Sequence, residues 1–102
     1  MIQYLEETMI KITGYEESRE RCSESGWFAY DYLLETPMEK EDIVKMRSLG
    51  SFLFLPMLAQ PFFKIESDNY IIKGVQGEDH FRIAVHKDYQ EKVDEIMNFL
   101  NG

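Results

Sequence analysis

At 102 residues the chain has the length of one domain, able to bury roughly 60–70% of its unfolded surface, so residues 1–102 are expected to share one core. Hydrophobic residues at 44% and aromatics at 14%, with seven Phe and six Tyr, supply that core and argue against disorder. A formal charge of −8, from 11 basic and 19 acidic residues, opposes non-specific binding to nucleic acid or to an anionic membrane, and neither half of the chain is basic.

The first residues, Met1 to Glu7, lack a basic stretch and meet acids before any apolar run develops, so they do not read as a secretory signal. Residues 1–8 read as an extension. The longest apolar run, residues 52–59, falls far short of the ~20 residues that span a bilayer, and Pro56 interrupts it. Cys22 stands alone, which excludes an internal disulfide and a cysteine-based zinc site and suits a reducing compartment. A cytoplasmic location is expected.

In chain order, residues 9–13 alternate, with Ile10 and Ile12 on one side and Lys11 and Thr13 on the other, the period of a half-buried strand. Residues 15–26 hold Glu16, Glu17, Glu20 and Glu24 among serines and arginines and read as an exposed loop. Residues 27–34 are aromatic and β-prone. Phe28, Tyr30, Tyr32 and Leu34 alternate against Trp27, Ala29, Asp31 and Leu33, which predicts a strand covered on both faces.

Thr36-Pro37-Met38-Glu39 has the form of a capping box, with Thr36 as the cap and Pro37 at the first helical position. The helix it predicts runs through Ile43, Met46 and Leu49 and closes at Gly50, with acids near its start and Lys45 and Arg47 near its end. Residues 51–63 are almost wholly apolar. Pro56 and Pro61 exclude a regular helix or a central strand there, leaving a short buried strand at 52–55 and an irregular apolar connection.

Strands at 63–66, 70–75 and 80–86, separated by Ser67-Asp68-Asn69 and Gly77-Glu78-Asp79, form an antiparallel meander. Asp88 and Glu91 then open a second helix whose stripe is Tyr89, Val93, Ile96, Met97 and Leu100. The fold class is therefore α+β, an antiparallel β-sheet with two helices on one face, in the order β-β-α-β-β-β-β-α.

Chemistry-bearing motifs are sparse. His80 and His86 share a face, but six strand positions place them ~20 Å apart, too far to ligate one metal, and no metal site or cofactor is expected. The candidate ligand site is the polar face of the meander, where Lys64, Lys73, His80, Arg82 and His86 converge if the strands pair in sequence. A cationic face on an acidic protein suits a phosphate, a carboxylate or an acidic partner. A solvated face balanced by Glu66 and Glu78 explains the same residues and is the commoner arrangement.

Gly74-Val75-Gln76-Gly77 has the spacing of a phosphate-clamping loop but falls in a hairpin, where a bulge and a turn account for it. Cys22 lies among acids, which raise rather than lower a thiol pKa, so it is a poor nucleophile. The paired acids, such as Glu41-Asp42 and Asp94-Glu95, suit solvated helix faces. In residues 52–63, Phe52, Phe54, Met57, Leu58, Phe62 and Phe63 form a candidate interface wherever they escape the core, the expected fate of most of the segment.

Two function classes follow. One is a small non-catalytic binding or regulatory domain, expected to be dimeric through residues 52–63 or 27–34, that holds a protein partner or a small anionic ligand. The other is an acidic inhibitor, immunity-like or a nucleic-acid mimic, whose Glu-rich loop blocks a basic site on a target. A small enzyme would need His80 or His86 collected in a pocket with a carboxylate such as Asp88.

Overall fold

The computed structural model describes residues 10–18 and 26–101, which form a six-stranded antiparallel sheet with two helices in the order β-β-α-β-β-β-β-α. The strands are β1 (Ile12–Glu17), β2 (Trp27–Leu34), β3 (Ser51–Leu55), β4 (Phe62–Glu66), β5 (Tyr70–Val75) and β6 (His80–His86). The helices are α1 (Lys40–Lys45), prolonged by a 3-10 turn at Met46–Leu49, and α2 (Glu91–Asn101), preceded by a 3-10 turn at Lys87–Tyr89.

Strand order across the sheet is β1-β2-β6-β5-β4-β3. Short turns join β4, β5 and β6 in sequence, as expected of a meander; β3 pairs with β4 across the connection at 56–61, and the β1–β2 hairpin adds to the free side of β6. The single long crossover runs from β2 to β3 through α1, which carries the chain beneath one face to the opposite edge.

That face holds the core. Ile43 and Met46 from the first helical segment and Ile96 and Leu100 from α2 are buried in one cluster with Phe63, Ile65, Ile72, Phe81 and Ile83. The Lys45 ammonium donates to the Leu100 carbonyl at 3.3 Å, tying the two helical segments together. Tyr70 donates its hydroxyl to the Leu49 carbonyl, fastening the 3-10 turn to the sheet.

Register explains the placement of Gly74. The row across the core face reads Phe54, Phe63, Gly74, Phe81, Tyr32, Tyr15, one residue per strand. A Cβ at position 74 would lie 2.6 Å from the Phe63 ring, so the glycine makes room for the aromatics beside it. Gly77, by contrast, sits in the β5–β6 turn at φ 95°, which an L side chain adopts only with strain. No bulge interrupts the β5 pairings at Gly74, so only the turn half of the sequence-based explanation applies.

Four sequence-based expectations need correction. The first strand begins at Ile12 and continues to Glu17, so Tyr15, Glu16 and Glu17 are strand residues paired with Tyr32, Asp31 and Tyr30 rather than loop. Ile10 is still buried, just ahead of the strand. Glu20, Glu24 and Cys22 lie outside the described residues, as do residues 1–8.

The second correction concerns α1, whose cap is Glu39 and not Thr36. The Glu39 N–H donates to the Asp42 carboxylate at 2.8 Å, forming the capping box three residues later than expected. Tertiary pairing is the reason: Met38 is buried, its N–H donates to the Glu78 carbonyl and its carbonyl accepts from the Gly77 N–H, both at 2.8 Å. A helix starting at Pro37 would give up those bonds.

Third, β2 is covered by helices on one face only among the described residues. Tyr30, Tyr32 and Leu34 look toward α1 and α2, whereas Trp27, Ala29, Asp31 and Leu33 lie on the opposite, open face, half-buried by their neighbours. Fourth, Tyr89 belongs to the 3-10 turn rather than to the buried stripe of α2 and is 40% exposed against the His86 ring.

Candidate functional site

Alternation along the strands sends every second side chain to the open face, and the antiparallel register then aligns them in rows. One row reads Leu53, Lys64, Lys73, Arg82, Asp31, Glu16 across all six strands. Neighbouring strands are ~4.8 Å apart, so Lys64, Lys73 and Arg82 stand within roughly 10 Å of one another. The row is therefore cationic over β4, β5 and β6 and acidic over β2 and β1.

Local partners hold these groups in different ways. The Lys64 ammonium lies 3.5 Å from the Glu66 carboxylate on the same strand, an exposed pair worth little. Arg82 donates from Nε to the Ser18 hydroxyl at 3.1 Å, reaching over β2 to the chain beyond β1. His80, two residues before Arg82, places Nδ1 3.3 Å from the Asp79 carboxylate and 3.9 Å from that of Glu78.

Beside this row lies an open concavity of about 410 Å³, lined by Lys73, Arg82 and His80, by Asp31 and Glu78, and by the apolar Phe62 and Val75. Its rim is the β5–β6 turn, which is pinned from three directions. Gln76 donates to the Pro61 carbonyl, Gly77 to that of Met38, and the Leu34 N–H to the Asp79 carbonyl, each at 2.8 Å. The site thus rests on a fixed backbone, and it sets two basic side chains beside the apolar Phe62 and Val75, a combination that suits an anion with an apolar body.

The five sequence-predicted ligand residues divide. Lys73, Arg82 and His80 line the concavity, while Lys64 stands next to Lys73 in the cross-strand row, outside that lining. His86 is at the far end of β6, where its Nδ1 accepts the Asp88 N–H at 3.2 Å and its ring meets Trp27 edge-on, with centroids 5.8 Å apart. It caps a turn. Asp88 is its sequence neighbour in that turn, with carboxylate oxygen 3.8 Å from Nδ1, outside the concavity.

The six apolar interface candidates divide as well, and the segment is not the buried one expected: β3 is an edge strand, and of residues 51–63 only Phe63 is buried. Phe63 is fully buried and has no surface to offer, while Phe52 and Phe54 pack partly against the core. Phe62 takes the opposite face and lines the concavity. Met57 at 73% and Leu58 at 46% exposure are open to water in the β3–β4 connection, and Leu53, between the two phenylalanines of edge strand β3, is 43% exposed.

Asp31, Ser18 and Gln60 also line the concavity and were not singled out as site residues from the sequence. The alternation of β2 assigns Asp31 to the face opposite the tyrosines, but only the long-range β2–β6 register sets it against Arg82. Among the described residues, no three His, Cys, Asp or Glu side chains gather in a way that could hold a metal ion, and no helix is long and apolar enough to cross a membrane. Comparison with protein-family models, curated proteins and solved structures finds no match.

Proposed function

We propose that this chain is a non-catalytic binding domain that holds a small anionic ligand on the open face of its sheet, at Lys73, Arg82 and His80. The observation that carries this reading is the alignment of Lys64, Lys73 and Arg82 in one cross-strand row. Like charges directly opposite one another in a sheet are destabilising. A bound anion offsets that repulsion, and a pocket that also presents Phe62 and Val75 favours an anion with an apolar or aromatic portion.

The test is thermal unfolding against rising phenyl phosphate. A ligand specific to the folded state raises Tm in proportion to the logarithm of its concentration above Kd. The expected result is a saturable rise that Lys73→Gln and Arg82→Gln each weaken; an unchanged Tm to millimolar concentration contradicts the reading.

Self-association belongs to the same proposal and rests on β3. This edge strand, Ser-Phe-Leu-Phe-Leu, has no charged residue, whereas natural edges are commonly guarded by lysine, proline or bulges. Together with Met57 and Leu58 it offers a surface for pairing with a second copy. Light scattering at high micromolar concentration should report a dimer that Leu53→Lys dissociates; a strict monomer at that concentration removes this part.

The inhibitor reading has its own support in Glu16 and Glu17, both exposed on the other edge strand, β1. Charge reversal separates the two readings. A mimic loses its target on Glu16→Lys with Glu17→Lys and weakens steeply with salt, while phenyl phosphate binding depends on Lys73 and Arg82.

A further inference from the structure

On the opposite side of the sheet, between α2 and the β1–β2 hairpin, lies a groove of about 550 Å³ that the anion site does not use. Its lining includes four aromatic rings, those of Tyr15, Phe28, Tyr30 and Tyr32, with the Met97 thioether. Tyr15 stacks on Tyr32 at 5.6 Å between centroids and meets Tyr30 edge-on at 5.5 Å, forming one continuous aromatic wall. That wall is not sealed: Tyr15 is 66% and Phe28 48% exposed.

Asp94, on the exposed side of α2, is the single charged side chain among the described residues that line the groove. It stands close enough to the tyrosines to act on Tyr32. The Tyr32 phenol is pushed up chiefly by burial, with further contributions from Tyr15, Tyr30 and the Asp94 carboxylate, so it stays neutral at physiological pH.

We infer that this groove binds a small organic ammonium ion, held between the aromatic wall and the Asp94 carboxylate. Both attractions have the same sign. Aromatic faces carry the negative lobe of the ring quadrupole and draw cations, and a carboxylate at the rim adds a full negative charge. An anion would meet Asp94 with no cationic side chain among the described lining residues to offset it. A volume in the range of small-molecule pockets, rather than an extended channel, favours a compact ligand over a peptide.

The experiment titrates the full chain with choline and, separately, with its uncharged carbon isostere 3,3-dimethylbutan-1-ol, following backbone amide shifts. Choline should produce saturable millimolar shifts centred on Tyr30, Tyr32, Asp94 and Met97, with the isostere about tenfold weaker. Asp94→Asn should weaken choline about two- to fivefold and leave the isostere unchanged, and Tyr15→Ala should weaken choline with the amide spectrum otherwise intact. Both substituted residues are exposed, so the variants are expected to fold. Equal affinity for choline and the isostere, indifference of choline to Asp94→Asn, or shifts centred elsewhere would overturn the inference. Because the phosphate site is on the other face, success or failure at either site is read independently.

Discussion

Gly74 sits where the core row would otherwise place a side chain against two phenylalanines. Its missing Cβ accommodates the Phe63 ring, which is buried and has no room to retreat. Gly74→Ala is therefore expected to destabilise the fold by roughly 1–3 kcal/mol, the usual cost of overpacking, measurable by denaturant unfolding. A change below the error of that measurement would mean that Phe63 rotates freely. Tyr32 supplies a second prediction at this scale. Its phenol ionises later in the folded state than the usual value near 10, so the neutral form is the one the fold favours. Stability from this group is full below that value and falls as pH rises through the raised one. Absorbance titration of the phenols should show a late ionisation that Tyr32→Phe removes, and the same variant should lessen the alkaline loss of stability. At this scale the sequence was informative about type but not about neighbours: it placed Lys73 and Arg82 outward by alternation, yet Asp31 becomes part of the site only through β2–β6 pairing.

At the scale of elements, α1 separates local signals from tertiary ones. The sequence pattern places the box at Thr36 and Glu39, and the box that forms joins Glu39 to Asp42. Burial of Met38 and its two hydrogen bonds to the β5–β6 turn decide the matter, since an isolated box is worth about 1 kcal/mol. Asp42→Ala should cost about 1 kcal/mol in denaturant unfolding, and Thr36→Ala, at an exposed position, should cost much less. Equal losses would restore the upstream cap. The strands of the meander were legible because short turns and strict alternation agree there. β1 was legible only in part, because Glu16 and Glu17, which pair with Asp31 and Tyr30 of β2, read by composition as loop. An edge strand tolerates such charge, and that tolerance hides it from a pattern search.

Across the whole molecule, the two faces of one sheet have separate tasks. One carries the helices and the core, closing over Phe63, Ile72, Phe81 and Ile83. The other is without a helix among the described residues and presents a row that changes sign midway, cationic from Lys64 to Arg82 and acidic at Asp31 and Glu16. Element order and fold class were readable from periodicity. Strand order was not, because the insertion of β6 between β2 and β5 depends on a contact between segments about fifty residues apart, which no local pattern encodes. That insertion sets the acids of the first hairpin beside the cations of the meander.

The most direct measurement is an amide chemical-shift titration of the full chain with phenyl phosphate. The proposed site predicts saturable shifts centred on Lys73, His80 and Arg82, extending to Phe62 and Val75, absent at His86 and abolished by Arg82→Glu. Shifts that fail to saturate, or that centre away from β4, β5 and β6, would contradict it.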